Sequence, residues 1–339
     1  MRGGPGGGVR KSCERLVLFA NPLSAIGAVL TGAVLRAART REDLTVVAIC
    51  DTARRTPRPA LLRAVEILAA TALERVFDPR TRRFRPPALV GSLPWLAARF
   101  AVPYVVPAGR NINSSEFAAY LSDELRPTMT LSLGCVQIFR RELLERFAIA
   151  VNYHNGLLPQ FRGLRATSWS LYRGEGRTGY SFHRMTEHID AGPILLSEEL
   201  PVVGEMSVGG VERAKTYAAA ARLGDLLDLM MARAPGVPQF GGASYYGLDD
   251  YRSMTVIDSP EALTVAELQR RLRAFGVLRL SLGGEMLEVS RLVRARGEAS
   301  SPTAFRTADG VAVRATRFLS FPLPVYRIVR RFRPPVHRE

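Results

Sequence analysis

The strongest constraint on the fold is a regular alternation of short apolar runs with amphipathic stretches. Apolar runs at residues 16–20, 44–49, 129–133 and 147–151 have the length of buried strands. The stretches between them place apolar residues at helical spacing, and Ser24 stands where it can cap the first helix. Because alternating strands and helices build parallel sheets, the pattern predicts an α/β fold with an open, mostly parallel sheet.

Composition predicts domain boundaries along the 339 residues. The glycine-rich residues 1–13 predict a disordered lead, and residues 14–235 hold the strand and helix alternation, ending in one long predicted helix at 208–231. A stretch rich in proline and glycine at 235–242 predicts a linker. Residues 243–339 contain short β-like runs separated by Gly-Gly and polar turns, which predicts a small β-rich carboxyl-terminal domain.

The formal net charge of +16 comes almost entirely from arginine, since Lys11 and Lys215 are the two lysines. A general preference for arginine over lysine produces such a charge without any nucleic-acid ligand. Two basic segments stand out, an arginine-rich stretch at 80–85 inside a predicted insertion at 52–87, and the tail from residue 291 onward. Each can contact an anionic partner or simply be solvated, and the sequence leaves both interpretations open.

The three cysteines are far apart and lack metal-ligand spacing. They predict a reducing, cytoplasmic setting with no disulfide framework and no metal site. Asn21 and Pro22 interrupt the apolar stretch at 16–35, which is therefore interpreted as strand, turn and helix instead of a secretion signal. No other stretch approaches the length of a membrane span, so no membrane association is predicted.

Polar residues with catalytic potential cluster after the apolar run at 147–151. Asn152 and His154 lie at its carboxyl end, and Asp190 follows in an Ile-Asp-Ala-Gly turn. Residues two apart on a strand point to the same face, so Asn152 and His154 can converge on one ligand. An amide, an imidazole and a carboxylate at the ends of strands are the groups that a proton-transfer site needs. The sequence therefore predicts a catalytic site here.

The same window resembles the folate-dependent formyltransferase family. The matching motifs are the Asn-x-His pair Asn152 and His154, Leu-Leu-Pro at 157–159, Phe-Arg-Gly at 161–163, Gly179, Ser181, His183, and Asp-Ala-Gly-Pro at 190–193. The likeness is strong over residues 130–200, and extends weakly to a helix at 270–275. One departure is Asn155-Gly156, where the family often has Pro-Ser or Gly-Ser. The resemblance implies a Rossmann-like formyltransferase domain.

This resemblance implies transfer of a formyl group from 10-formyltetrahydrofolate, the donor co-substrate, to a primary amine. Asn152 and His154 would donate hydrogen bonds to the oxyanion that forms, while Asp190 would hold the imidazole and help to remove the amine proton. The turn at 134–138 would contact the pterin through backbone groups, and the loop around Gly192 would close over it. The implied cofactor-binding residues are Gly134, Cys135, Val136, Gln137, Ile138, Ile189 and Gly192.

Other residues near the site are predicted to have mainly structural roles. His183 lies on an alternating strand, which favours a structural or supporting role over catalysis. His188 is predicted on a loop surface, from which it can equally approach folate. Arg162-Gly163 is predicted to fix the loop after the site strand. Tyr245-Tyr246 is predicted to pack between the domains, in preference to stacking on a substrate ring.

The acceptor is predicted to be a small biosynthetic intermediate, such as an amino sugar or a specialised metabolite. A methionyl-tRNA formyltransferase is the first alternative, because the length and the basic tail permit it. The insertion at 52–87, however, does not match the basic loop of those enzymes. Hydrolysis of the formyl donor and a non-catalytic folate- or nucleic-acid-binding module are further alternatives. A homodimer is also left open.

Overall fold

A seven-stranded sheet is the central element of the computed structural model, which describes residues 13–54, 92–295 and 303–317. The strands of these residues are β1 (Glu14–Ala20), β2 (Leu44–Asp51), β3 (Tyr104–Val105), β4 (Met129–Leu133), β5 (Ile149–His154), β6 (Arg162–Gly163), β7 (Arg177–Arg184), β8 (Ile194–Pro201), β9 (Tyr245–Tyr246), β10 (Val256–Ile257), β11 (Leu278–Leu282), β12 (Glu285–Arg294), β13 (Ala304–Arg306) and β14 (Ala312–Arg317). The large sheet has the order β3-β2-β1-β4-β5-β7-β8; its first five strands are parallel, and β7 pairs antiparallel with both β5 and β8. The predicted open, mostly parallel sheet is confirmed.

The helices follow the predicted alternation, with one division that the sequence did not indicate. Those of the described residues are α1 (Ala25–Ala38), α2 (Leu93–Phe100), α3 (Ser115–Tyr120), α4 (Arg141–Leu144), α5 (Ala166–Arg173), α6 (Val208–Ala221), α7 (Leu223–Met231), α8 (Leu248–Thr255) and α9 (Val265–Phe275). The Ser24 hydroxyl caps α1 by accepting a hydrogen bond from Gly27 N at 3.2 Å. The prediction of a single long helix at 208–231 is wrong, because two helices occupy this stretch. Arg222 N bonds to Ala219 O, three residues back, and this tighter turn separates α6 from α7.

Side chains of alternate residues fill two apolar clusters, one on each face of the large sheet. Leu18 of β1 packs in the cluster that contains Leu30 of α1. The next residue, Phe19, packs in the opposite cluster, where its ring lies 6.1 Å from that of Phe117 in α3. Successive strand residues point to opposite faces, so a parallel strand buried on both sides needs apolar residues throughout. Helices on both faces leave the carboxyl ends of the strands as the rim where ligands bind.

A second sheet of five strands, in the order β10-β11-β12-β14-β13, encloses an apolar cluster of its own. This sheet confirms the β-rich carboxyl-terminal region, while the exact boundary at 235–243 stays a prediction. Helix α9 lies between the two parts and is capped by Thr264, whose hydroxyl accepts from Glu267 N at 3.2 Å. Leu268 of α9 packs on the second sheet, whereas Phe275 joins a cluster with Trp169 of α5.

A short parallel pairing of β6 with β9 ties the chain after β5 to the carboxyl-terminal region. Gly163 has a φ of 87°, and a Cβ at this position would lie 2.4 Å from the carbonyl oxygen of Tyr246, so this close approach requires glycine. Tyr246 is buried and stacks on Trp169 with ring centroids 4.1 Å apart. Tyr245 is 55% exposed. Of the two tyrosines, Tyr246 therefore packs in the interior as predicted, whereas Tyr245 lies at the surface.

Three predictions fall wholly or largely on residues outside the described ranges. They are the disordered lead at 1–13, the insertion at 52–87 with its arginine-rich stretch at 80–85, and the part of the basic tail beyond residue 317. Among the residues that the structure does describe, no helix combines the length and the apolar character needed to cross a membrane.

Candidate active site

The orientation of the Asn152 amide is set by the neighbouring strand. In the parallel register, Ser132 of β4 lies beside Asn152 of β5, and its hydroxyl donates to Asn152 Oδ1 at 2.8 Å. Because this bond takes the oxygen side of the amide, Nδ2 points the other way. Asn152 Nδ2 lies 3.4 Å from Asp190 Oδ1 and 3.2 Å from His183 Nε2. The amide therefore presents its donors to the rim of the sheet.

Asp190 is the residue on which the site converges. Its Oδ2 lies 3.2 Å from His154 Nδ1 and accepts from Gly163 N at 2.9 Å. Its Oδ1 faces Asn152 Nδ2 and lies 3.3 Å from His183 Nε2. Asp190 also has a φ of 52°, a left-handed conformation that costs roughly 1 kcal/mol for a residue with a Cβ. The structure thus brings Asn152, His154 and Asp190, the three residues predicted from sequence, together. The backbone of Asp190 is strained, and both oxygens of its carboxylate have polar partners.

The electrostatics of Asp190 are dominated by its two histidine neighbours. Burial of the carboxyl group opposes its ionisation, but the charge and hydrogen bond of His154, followed by those of His183, more than offset burial. Together they hold the pKa of Asp190 well below its usual range. The site therefore keeps a negative charge throughout the neutral pH range.

His154 is 6% exposed, and both of its ring nitrogens face oxygen atoms. Nδ1 lies 3.2 Å from Asp190 Oδ2, and Nε2 lies 2.9 Å from the carbonyl oxygen of Phe161. A neutral imidazole has one N–H and can donate to one of these oxygens, whereas the imidazolium donates to both. The sequence led us to expect a ring N–H that is free to reach the oxyanion, whereas in the structure both ring nitrogens are already engaged by oxygen atoms of the protein.

His183, for which the sequence favours a structural or supporting role, belongs to the same cluster. The antiparallel pairing of β5 with β7 places it directly opposite Asn152. Its Nδ1 donates to the carbonyl oxygen of Arg184 at 2.9 Å. Its Nε2 lies 3.2 Å from Asn152 Nδ2 and 3.3 Å from Asp190 Oδ1. Alternation along β7 indicated a buried histidine, but its contact with Asn152 depends on a strand register that the sequence does not reveal.

A cavity of about 590 Å³ opens beside this cluster. Its wall includes the turn that follows β4, with Gly134, Cys135, Val136, Gln137 and Ile138, and it also includes Ile189 and the three predicted catalytic residues. Val136, Ile138 and Ile189 are 48%, 59% and 40% exposed. An apolar wall with a few convergent polar groups is typical of a site for a flat organic ligand.

Two of the predicted cofactor-binding residues have other contacts. The Gln137 side chain is engaged within the protein, since its Nε2 donates to Thr52 O at 2.9 Å and to Arg110 O at 3.0 Å. Gly192 does not line the cavity. A Cβ on Gly192 would lie 1.9 Å from Arg184 O, so this glycine allows the turn after Asp190 to pack closely on β7. Among the described residues, no group of histidine, cysteine or acidic side chains is arranged to hold a metal ion.

A buried lysine supports the loop immediately after His154. Lys215 of α6 is fully buried, and its Nζ donates to Asn155 O at 2.8 Å and to Thr167 Oγ1 at 2.7 Å. Burial lowers the pKa of Lys215 to about 7, and the charge of Glu212 opposes that decrease only in part. A neutral amine retains two N–H groups, which match these two oxygen partners.

The lowered pKa of Lys215 predicts a specific pH dependence of stability. Above pH 7 the folded chain releases a proton that the unfolded chain holds up to its ordinary pKa of 10.5. The wild-type free energy of unfolding should therefore rise with pH across this window relative to that of Lys215→Met, with a slope of up to about 1.4 kcal/mol per pH unit. Urea unfolding at pH 7, 8 and 9 measures the difference.

The control is Thr31→Val, which removes a fully buried hydroxyl that has no hydrogen-bond partner among the described residues. This variant should follow the wild-type pH profile, because it removes no titratable group. Parallel wild-type and Lys215→Met profiles would show that Lys215 keeps an ordinary pKa in the folded protein.

Sequence comparison relates the region around the site to known enzymes. Residues 99–222 match the family described as Formyl transferase. The chain is 37% identical over 135 residues to the GDP-perosamine N-formyltransferase of Brucella melitensis biotype 1, a match that covers 40% of this chain and 52% of the relative. The GDP-perosamine N-formyltransferase of Brucella abortus gives the same values. The match thus spans about half the length of these curated relatives.

Solved structures share the fold over a larger part of the chain. A sugar N-formyltransferase from a Shewanella species superposes with a TM-score of 0.57 at 18% identity, covering 85% of this chain and 99% of the other. An N-formyltransferase from Helicobacter canadensis, in complex with folinic acid and dTDP-3-aminofucose, gives a TM-score of 0.55 at 14% identity and covers 90% and 99%. At these identities the likeness shows the fold.

Proposed function

We propose that the chain transfers a formyl group from 10-formyltetrahydrofolate to the amine of a small intermediate, most specifically an amino sugar. The match of residues 99–222 to the formyl transferase family supports this proposal. The observation that carries the proposal is the convergence of Asn152, His154 and Asp190 at the edge of one apolar-walled cavity. The names of the Brucella relatives and the sugar nucleotide bound by the Helicobacter enzyme support an amino sugar as the acceptor.

The reaction exchanges one carbon–nitrogen bond for another. The acceptor amine attacks the formyl carbon, which forms a new C–N bond and moves an electron pair onto the formyl oxygen. The resulting tetrahedral intermediate carries an oxyanion and a positively charged acceptor nitrogen. Collapse restores the carbonyl, breaks the bond between the formyl carbon and N10 of the folate, and leaves N10 with a proton. The net transfer needs stabilisation of the oxyanion and a path for one proton.

Asn152 and His154 supply the stabilisation of the oxyanion. The weak 3.4 Å contact of Asn152 Nδ2 with Asp190 Oδ1 can be exchanged for a stronger bond to the oxyanion, because the amide is held by Ser132. The His154 ring can donate to the oxyanion in the same way, by exchanging the contact of Nε2 with the carbonyl oxygen of Phe161. Donors that are already fixed in place lower the energy of the intermediate without reorganisation.

Asp190 provides the path for the proton. Asp190 lines the cavity, and its carboxylate can accept the proton of the attacking amine, directly or through one water molecule. Since the pKa of Asp190 is held well below its usual range, the carboxylate cannot retain that proton. A weakly basic carboxylate therefore suits a relay that passes the proton on to the departing N10.

The remaining features of the proposal concern the setting of the enzyme. The three cysteines are free thiols and form no disulfide, which supports a reducing, cytoplasmic location in which reduced folates remain stable. Small amines are favoured as acceptors over methionyl-tRNA, since the two Brucella relatives are named for a sugar substrate. A homodimer stays a prediction.

The proposal is tested by measuring tetrahydrofolate release from 10-formyltetrahydrofolate with purified full-length protein. We expect release only when an amino sugar or its nucleotide-linked form is supplied, together with an acceptor product heavier by one formyl group in place of one hydrogen. Free amino acids and sugars without an amine serve as controls. Release that needs no amine would indicate hydrolysis of the donor, and formylation confined to methionyl-tRNA would replace the small acceptor with tRNA.

A further inference from the structure

We propose that Gln239 is a positioning residue for the formyl-transfer site, acting through Asp190. Gln239 lies in the stretch at 235–242, which the sequence predicts to be a linker. Its proposed role rests on the proposed function for the kinetic measurements below, but the contacts that suggest it are independent of the identity of the acceptor.

The carboxamide of Gln239 joins three separate segments of the chain. Nε2 donates to the carbonyl oxygen of Asp190 at 2.9 Å and to that of Gly192 at 2.7 Å. Oε1 accepts from the Arg162 guanidinium, with distances of 3.2 Å to Nε and 2.7 Å to NH2. The opposite orientation of the amide would place its oxygen against two carbonyls and its nitrogen against a group that has only donors. The chemistry of the partners therefore fixes the side chain in one orientation.

These contacts hold the turn that carries the carboxylate. Asp190 has a φ of 52°, so its backbone conformation needs support from its surroundings. The two carbonyl oxygens bonded by Gln239 belong to that turn, one from Asp190 itself and one from Gly192. Loss of the carboxamide would leave the turn free to relax, and the side-chain oxygens of Asp190 would move with it.

Through its bond to Arg162, the Gln239 carboxamide is also connected to the segment that contacts the side chains of His154 and Asp190. Arg162 lies between Phe161, whose carbonyl oxygen faces His154 Nε2, and Gly163, whose N–H donates to Asp190 Oδ2. Gln239 thus connects the turn that carries the carboxylate with the strand that contacts both catalytic side chains. The distance between His154 Nδ1 and Asp190 Oδ2 depends on the relative position of these two segments.

The backbone around Gln239 is held by bonds that do not involve its side chain. Val237 N donates to Ile194 O at 2.7 Å, and Ile194 N donates to Val237 O at 2.8 Å. On the other side, the Ser244 hydroxyl accepts from Phe161 N at 2.8 Å. The segment should therefore keep its course when the Gln239 side chain is shortened, which separates a positioning role from a general role in folding.

The kinetic test compares Gln239→Ala with Val237→Ala, a neighbouring change at a side chain that is 68% exposed. Gln239→Ala should lower kcat by roughly 10- to 100-fold while the KM for 10-formyltetrahydrofolate changes less than about threefold, and Val237→Ala should retain wild-type kcat. Gln239→Glu keeps the shape of the side chain but places a carboxylate oxygen against the two carbonyl oxygens that Nε2 now bonds. Its kcat should therefore fall as far as that of Gln239→Ala. This variant still tests the proposal if the alanine variant folds poorly. In an Asp190→Asn background, Gln239→Ala should cause no further loss, because both changes act on one carboxylate.

A second measurement needs no turnover. The proton between His154 Nδ1 and Asp190 Oδ2 should give a downfield NMR resonance that is present in the wild type and in Val237→Ala, and is shifted or lost in Gln239→Ala and Gln239→Glu. If the wild type forms no formylated product but this resonance depends on Gln239, the proposed function fails while the positioning role stands. An unchanged resonance, wild-type kcat in Gln239→Ala, or an equal loss in the Asp190→Asn background would overturn the positioning role.

Discussion

Replacement of His154 with alanine is expected to lower kcat by roughly 10³-fold while the dissociation constant of 10-formyltetrahydrofolate changes less than about threefold. The ring faces the buried Asp190 carboxylate, and its removal takes away the donor that we propose for the oxyanion. The turn at 134–138, which lines the cavity, follows a different strand and does not depend on this ring. Chemistry should therefore fail while donor binding persists.

Steady-state kcat and calorimetric binding of the donor measure the two quantities separately. His188→Ala is the matched control, because His188 also lines the cavity but is exposed and lies outside the cluster around Asp190. We expect this control to keep kcat within about threefold of the wild type. Near-wild-type turnover in His154→Ala would remove His154 from the mechanism, and equal loss of kcat and donor binding would indicate a role in folding or binding.

The fold was predictable because its elements depend on local patterns. Apolar runs such as 16–20 are buried on both faces of a parallel sheet, so their hydrophobicity is continuous and visible in the sequence. The division of the predicted helix at 208–231 was not visible. It arises at Arg222, a residue with good intrinsic helix propensity, and therefore reflects the packing of α6 and α7 rather than a local signal.

The candidate site was predictable in part for similar reasons. The period of a strand places Asn152 and His154 on one face, which is a local property, and Asp190 stood out as the acid of the Ile-Asp-Ala-Gly turn that follows. The contact of His183 with Asn152 depends on the register of β5 with β7, and that of Gln239 with Asp190 joins residues almost fifty positions apart. Such long-range contacts leave no periodic signal in a single sequence.

Replacement of Asp190 with asparagine, which preserves the shape of the side chain, is expected to lower kcat by roughly 10³-fold. The amide carries no charge, so the His154 ring loses the anion that faces its Nδ1. One terminal atom becomes an NH₂ group that must face either Gly163 N or Asn152 Nδ2, both of which are donors. The variant should therefore disturb the two neighbours whose orientation the reaction requires, and it removes the acceptor for the amine proton.

A matched control for Asp190→Asn is Glu187→Gln, which neutralises an acid on the same loop whose side chain is 56% exposed and contacts Arg141. This control should retain kcat within about threefold, because an exposed charge contributes little to a buried cluster. The pH profile adds a sharper criterion. Since the pKa of Asp190 is held well below its usual range, wild-type kcat should show no loss attributable to this carboxyl between pH 7 and pH 5. An Asp190→Asn enzyme with kcat close to that of Glu187→Gln would show that the proton leaves the amine by a route independent of this carboxylate.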